Sequence, residues 1–483
     1  MGKLLLDTTA GAGDTGKIGG DKINAMMGEL YALTNRQRPG RLIIVGDSKA
    51  SLMANFSNVR SGAAWGLARA SVYCSFEDAN AIGGSFTGTE TNGLLNATRN
   101  AAIVATVTSR ANAGENVIVI IKAGTNDNYA VGQTLANLMQ ATKNYITAGA
   151  SHVIIMSVDP EGNLNAAQAR SNSEINRGIR VFARSNPAFV SFCDTTFGLL
   201  EAGSETFLSK GTTGDTTTDT GAYGSVMHDS LHESGYGAYI MGLALEPIFK
   251  RLMPHRTRLI MPDGSGQSTE SPRGDFVQNM IMFTRGGGTA ATIESGSDTP
   301  SGSGAAAYPR IALFGTIPSQ RLIKSGITFA TSREPYPPFV TEFGREDILV
   351  TTITLSGTPT ADGEWTFGGG TAGAFATGDA YNWEFEYYAE ALSGTAGLSA
   401  RATGANGAVG EHLLSAPAKA ADYIPKMTGR FSYASPTPMV IASGGNNGGL
   451  TFGMRWRNGV PVSGKVYLLG AALIKNIALP AVA

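Results

Sequence analysis

Three short segments of this sequence carry residue types that together can transfer an acyl group. The apolar run Arg41-Leu-Ile-Ile-Val45 leads into Gly46-Asp47-Ser48, which sets a hydroxyl at the edge of a sheet. A serine hydroxyl is a weak nucleophile until a base and an oxyanion site converge on it. Asp229-Ser230-Leu231-His232 supplies a candidate base, because an imidazole can take a proton and return it near neutral pH. Asp229, three residues earlier, can turn its carboxylate toward the ring and hold one tautomer. His228 lies in the same segment and is a rival base. In Gly124-Thr125-Asn126-Asp127 the Asn126 amide is a donor for a developing oxyanion, and a glycine backbone N–H could be another. Each residue also has a plainer reading: Ser48 as a helix cap, Asn126 as an Asx-turn residue, the glycines as turns. Asp47 and Asp127 read as loop-fixing groups.

Between Arg41 and about Arg256, apolar strands alternate with helical stretches. Leu42 to Val45, Asn116 to Ile121, His152 to Val158 and Phe189 to Phe192 are short runs rich in β-branched residues; Gly132 to Ala148 and Ala166 to Ser185 have helical spacing. This alternation predicts a parallel sheet covered on both faces, with its reactive groups at the carboxyl ends of the strands. Arg69 and Arg99 fall near these segments without a sign of whether they meet substrate or solvent. His152 and His255 belong to no constellation and read as structural.

Pro262 to Gly274 has linker composition, and beyond it the hydrophobic period changes to two. Trp383, Phe385 and Tyr387 alternate with Glu384 and Glu386, and Leu450, Phe452, Met454 and Trp456 alternate in the same way. Further strands are expected at Met280 to Phe283, Arg310 to Phe314, Ile348 to Leu355, Arg430 to Tyr433 and Lys465 to Leu469. The expectation is a β-sandwich of jelly-roll type. Alternation assigns most of its aromatics to the core, although Trp383, Tyr387, Tyr388 and Trp456 could stack on sugar rings.

The composition narrows the partners. Lysine plus arginine number 37 against 38 aspartate plus glutamate, so no global field favours nucleic acid or an anionic membrane surface. A neutral or glycan partner fits better. Charged residues are only 16% of the 483, while glycine reaches 63; that balance suits turn-rich β structure. Two cysteines, Cys74 and Cys193, exclude a disulfide framework and read as buried thiols. Five histidines and two scattered cysteines show no metal-ligand spacing, and the acidic stretch Asp215 to Asp219 reads as a solvated loop, so no metal or other cofactor is expected. No G-x-S-x-G elbow, HExxH or Walker A motif occurs. No apolar run is long enough to span a bilayer, and the first residues form no export signal.

In chain order, Gly46-Asp47-Ser48, Gly83-Gly84, Gly124 to Asp127 and Asp229 to His232 resemble the blocks of the SGNH, or GDSL-type, esterases and acetylhydrolases over about residues 41 to 250. The resemblance implies an SGNH-hydrolase-like three-layer α/β domain. It also implies Ser48 as nucleophile, His232 rather than His228 as base, Asp229 as its orienting carboxylate, and Ser48, Gly84 and Asn126 as oxyanion donors. Gly88 is the alternative register for the glycine. At the N-terminus, Asp21 can cap a short helix with apolar positions Ile23, Met26, Met27, Leu30 and Tyr31. Its segment Lys22 to Tyr31, after a Gly/Thr/Asp-rich lead, resembles the N-terminal region of bacteriophage tail fibres and tailspikes. That implies attachment to other tail proteins, a homotrimer, and a place in the virion tail acting at the bacterial surface.

The expected organisation is an attachment segment at 1–38, a hydrolase domain at 39–258, a linker at 259–275 and a sandwich at 276–483 that binds glycan or forms the trimer. The expected activity is that of a serine carbohydrate esterase removing O-acetyl groups from a bacterial surface polysaccharide. Two alternatives stand beside it: a receptor-binding fibre protein without turnover, and a bacterial esterase of this type acting on lipids or small esters.

Overall fold

The computed structural model describes residues 40–253 and 319–475, apart from internal segments at 73, 162–163, 203–208, 212–220, 345, 347–348, 371–375, 404–408, 416, 436–437 and 442–448. Between these two stretches it describes 283–284, 292–293, 298 and 301–302. The N-terminal helix, the linker, the strand expected at Arg310 to Phe314 and the acidic stretch at 215–219 lie outside the described residues.

Five strands form one sheet: β1 (Gly40–Gly46), β2 (Ser75–Ala81), β3 (Asn116–Lys122), β4 (His152–Met156) and β5 (Val190–Cys193). Their order is β2-β1-β3-β4-β5 and every pairing is parallel. The helices of this part are α1 (Ser48–Ala54), α2 (Gly62–Ala70), α3 (Ala97–Asn112), α4 (Val131–Thr147), α5 (Ala166–Ser185), α6 (Thr196–Leu199) and α7 (Gly235–Leu252). Runs such as Val117 to Ile121 suit a strand covered on both sides, and successive side chains divide between the two faces. Leu42, Ile44, Ile118 and Ile154 pack with Met53, Trp65 and Leu245 from α1, α2 and α7, whereas Ile43, Val45, Val119 and Val153 pack with Ile103, Leu138 and Ile175 from α3, α4 and α5. Side-chain caps start five of these helices, at Asp47, Ser61, Asn96, Asn165 and Ser234; Asn165 with Gln168 forms a capping box.

One expected strand is shifted. Instead of Phe189 to Phe192, β5 spans Val190–Cys193, because the Phe189 N–H donates to the Asn186 carbonyl at 3.1 Å and closes the turn after α5.

The remainder is a largely antiparallel β-sandwich. One sheet of eight described strands sets Met427–Ala434, Ala380–Ser393, Val462–Lys475, Leu349–Gly357 and Thr328–Pro335 side by side; a sheet of six sets Ser399–Thr403, Gly449–Trp456, Gly363–Gly370 and Ser319–Ile323 side by side. Their inner faces meet through aromatic rings such as Trp365, Phe367, Phe385 and Phe452. Trp383, Tyr387 and Trp456 are fully buried in this core, so they are not platforms for sugar rings. Tyr388 packs edge-on against Tyr336 and Tyr467.

The sandwich is joined to the α/β layers by an extensive contact. Trp65 of α2 is completely buried, donates its indole N–H to the Val59 carbonyl at 2.9 Å, and meets Tyr239 of α7 and Phe431 of the sandwich edge-on. Arg69 lies over the Phe431 ring, pairs with Glu246, and donates to the Thr428 and Arg430 carbonyls; it is an interface residue rather than a substrate contact. Backbone hydrogen bonds tie Phe56, Ser57 and Val59 to Leu414 and Ser415. One hydrophobic core thus continues from the sheet through α2 and α7 into the sandwich. Truncating Trp65 to Ala removes the ring at this junction, and unfolding in urea should show a loss of about 3–5 kcal/mol. A loss below about 1 kcal/mol would mean that the two parts do not share a core.

Candidate active site

The carboxyl end of β1 sets the position of Ser48. Gly46 has φ +145°, and a Cβ added there would lie 1.8 Å from the Lys122 carbonyl oxygen, so the close passage of β1 past β3 requires glycine. The Gly46 carbonyl accepts from Ile82 N–H at 3.1 Å, Ser85 Oγ at 2.8 Å and Arg99 Nη2 at 2.7 Å. Arg99 is therefore a buried strut under the strand end. Asp47 is buried and caps α1 by accepting from Lys49 N–H at 2.9 Å. Ser48 follows as the first residue of that helix, with its N–H at the positive end of the helix.

Residues 184 positions apart complete the pair. Ser48 Oγ lies 2.9 Å from His232 Nε2. On the other side of the ring, Nδ1 is 3.1 Å from both Asp229 carboxylate oxygens. With Nδ1–H turned to that carboxylate, Nε2 is left to accept the serine proton. The Asp-x-x-His turn is built locally: Asp229 Oδ1 accepts the Leu231 N–H at 2.9 Å and the His232 N–H at 2.7 Å, as aspartates do in tight turns. Partial burial works against the Asp229 charge, but hydrogen bonds from the His232 ring and these backbone groups outweigh it and hold the carboxyl well below the usual carboxylate range.

Asn126 and Gly84 lie on neighbouring turns. Asn126 Nδ2 donates to the Ser85 carbonyl at 2.9 Å, which spends one of its two amide protons. Gly84 precedes Ser85 with φ +69° in the turn that wraps Gly46, and its N–H donates to no group among the described residues. Gly88 has different surroundings, since a Cβ built there would stand 2.4 Å from a Glu90 carboxylate oxygen, a charge unsuited to an oxyanion site. Asp127 accepts from Thr87 N–H at 3.0 Å and from the Thr87 hydroxyl, so it fixes the loop that carries Asn126.

Beneath Ser48 and His232 lies a buried charged cluster that sequence reasoning missed. Lys49 and Glu233, the residues directly after Ser48 and His232, form an ion pair at 3.2 Å with both side chains almost wholly buried. Lys122 pairs with buried Asp159, which also accepts from Ser157 and Thr195. Glu161 and Asp47 act on the same lysines. Two ammonium groups thus face four carboxyls in a low-dielectric interior, which disfavours charge on all four at once. Burial pushes Asp47, Glu161 and Glu233 upward, and the neighbouring Asp159 charge adds to the effect at Glu233. Burial also opposes charge on Asp159, yet Lys122 and Lys49 hold that carboxyl below its usual range. Lys49 is raised above the ordinary lysine value despite its burial, because Glu233 and the other carboxyls surround it. The available signal was a charged residue directly following each member of the pair.

Other singled-out residues have structural surroundings. His152 is buried, with Nε2 2.8 Å from Ser191 Oγ. Cys74 and Cys193 are free and buried, and burial pushes the Cys74 thiol up to about 12. Among the described residues no group of three or more His, Cys, Asp or Glu could hold a metal ion, and no helix is long and apolar enough to cross a membrane.

No family model matches the sequence, and no curated protein matches it. Several solved structures do. The acetylxylan esterase Axe2 from Geobacillus stearothermophilus is 15% identical, over 45% of this chain and 96% of its own, with a TM-score of 0.30. The tail fiber protein gp63.1 from a phage of E. coli is 12% identical, over 92% of this chain and 48% of its own, with a TM-score of 0.30. TmCBM61, solved with β-1,4-galactotriose, is 7% identical, over 34% of this chain and 90% of its own, with a TM-score of 0.20.

The buried ion pair generates a stability prediction. Replacing Lys49 with Met leaves buried carboxyls without their counter-charge and should cost about 3–5 kcal/mol in urea unfolding. Adding Glu233→Gln should recover part of that loss, because contacting residues are not additive. Equal stabilities for wild type and Lys49→Met would show the pair to be idle.

Proposed function

We propose that this chain is a serine esterase that removes O-acetyl groups from a bacterial surface polysaccharide. The observation that carries the reading is the relay from Asp229 through both nitrogens of His232 to the Ser48 hydroxyl. In the proposed cycle, His232 Nε2 takes the Ser48 proton as Oγ attacks the acetyl carbonyl carbon. The tetrahedral oxyanion is met by the N–H of Ser48, the N–H of Gly84 and the second Asn126 amide proton. Its collapse breaks the bond to the sugar oxygen, which leaves with the proton from His232. Water, deprotonated by His232, then attacks the acetyl-Ser48 ester, and acetate departs as Ser48 regains its proton. Asp229 keeps its charge throughout and holds the imidazolium. No cofactor enters this chemistry.

The wider setting is part of the same proposal. Residues 1–38 would attach the chain to other proteins of a phage tail, 39–258 would hold the hydrolase, 259–275 would link, and 276–483 would form the sandwich. The assembly would be a homotrimer acting from the virion tail at the bacterial surface. The N-terminal Lys22 to Tyr31 segment supports the attachment role, and the near balance of charge supports a glycan rather than a nucleic acid as partner.

Hydrolysis of a chromogenic acetate ester tests the chemistry. Ser48→Ala should lower kcat by roughly 10³-fold or more, and Asn126→Ala by roughly 10²- to 10³-fold. Equal rates for wild type and Ser48→Ala would sink the esterase reading. Acetate release from candidate host polysaccharides, followed by NMR, tests the substrate.

A further inference from the structure

The turn that carries Asp229 and His232 is held from outside its own domain. It is closed on itself by the His228 N–H donating to the His232 carbonyl at 2.8 Å, and by a β-bridge between Met227 and Glu233. Against its outer side lies the sandwich segment Ala418 to Asp422. Lys419 Nζ donates to the His228 carbonyl at 2.6 Å. Asp422, wholly buried, accepts the Gly235 N–H at 2.8 Å through Oδ1, and the same oxygen is 3.6 Å from His228 Nδ1. Its other oxygen accepts the Ala418 and Lys419 N–H groups at 2.8 and 2.9 Å, so one carboxylate folds the sandwich turn and grips the start of α7. Ala421 N–H adds a bond to the Gly221 carbonyl at 3.0 Å. Gly235 has no room for a side chain here, because an added Cβ would lie 2.7 Å from the Asp422 carbonyl oxygen.

We infer that Lys419 and Asp422 are positioning residues for the esterase reaction, so that the sandwich builds the catalytic turn. His228 is the intermediary. Its carbonyl takes the Lys419 ammonium, its N–H holds the His232 carbonyl, and its ring faces Asp422. A buried carboxylate that satisfies two backbone N–H groups of its own turn and a third at the start of α7 is costly to leave unpaired, which makes the grip stiff. A stiff grip matters because Ser48 and His232 come from opposite ends of the α/β domain, and small misplacements of reacting groups cost large factors in rate. The inference rests on the esterase reading proposed above and adds that the hydrolase layers alone make an imperfect site.

The test uses the full chain with Lys419→Met, Asp422→Asn and, as rescue, Lys419→Arg. Lys419→Met keeps the aliphatic stem and loses only the donor. The account expects kcat on an aryl acetate to fall roughly 10- to 100-fold in Lys419→Met and Asp422→Asn. KM should stay within about two-fold, and Lys419→Arg should recover most of the rate. The melting temperature of Lys419→Met should stay near wild type, separating positioning from unfolding. Values of kcat within about two-fold of wild type in both Lys419→Met and Asp422→Asn would overturn the inference. If wild type itself shows no Ser48-dependent turnover, the esterase reading fails, and ¹⁵N-histidine NMR then decides the grip alone. Displaced His232 ring signals in Lys419→Met would support it, and unmoved signals would overturn it.

Discussion

The contact on which the rest of the structure converges is the 2.9 Å approach of Ser48 Oγ to His232 Nε2. It joins two residues that share no local sequence, and each is held by different parts of the fold. Ser48 is fixed by a strand end whose carbonyl meets three donors and whose glycine allows β1 and β3 to pass closely. His232 is fixed by the Asp229 turn. The hydrogen bond is therefore a readout of how well two independently built elements are registered, and a shift in either lengthens it.

Two features maintain that registration from below and from the side. Below, the Lys49–Glu233 ion pair links the residues that directly follow Ser48 and His232. Such a pair gains little net stability over apolar packing, because both charges must be desolvated. What it provides is geometry, since an ammonium surrounded by carboxyls tolerates few arrangements. From the side, the sandwich meets α2 and α7 through Trp65, Tyr239 and Phe431, and the start of α7 through Asp422. The helix that follows His232 is thus pinned at its first residue and along its length. The turn that carries Asp229 and His232 sits at the joint between two layers of packing, not at the tip of a free loop.

Much of this was legible in the residues. β-branched runs gave the parallel strands because a strand covered on both faces has no polar alternation to hide, and period-two aromatics gave the sandwich because each strand buries one face. Serine, asparagine, aspartate and histidine stood out because few residue types can perform acyl transfer. The rest depended on distance along the chain. Lys49 beside Ser48 looks like an ordinary solvated residue until Glu233 is folded against it. Nothing near Asp422 in sequence points to Gly235 or His228, and Arg69 and Arg99 became an interface residue and a strut only through partners far away. The start of β5 shifted for a local reason that periodicity does not contain, a turn closed by the Phe189 N–H.

The central claim is that Ser48 is an activated nucleophile whose reactivity comes from His232, and covalent labelling tests it most directly. Exposure to an activated phosphonate ester, followed by intact-mass measurement and peptide mapping, should give one adduct per chain on Ser48, with labelling slowed severely in His232→Ala. No adduct, an adduct on another residue, or equal labelling rates for wild type and His232→Ala would contradict it.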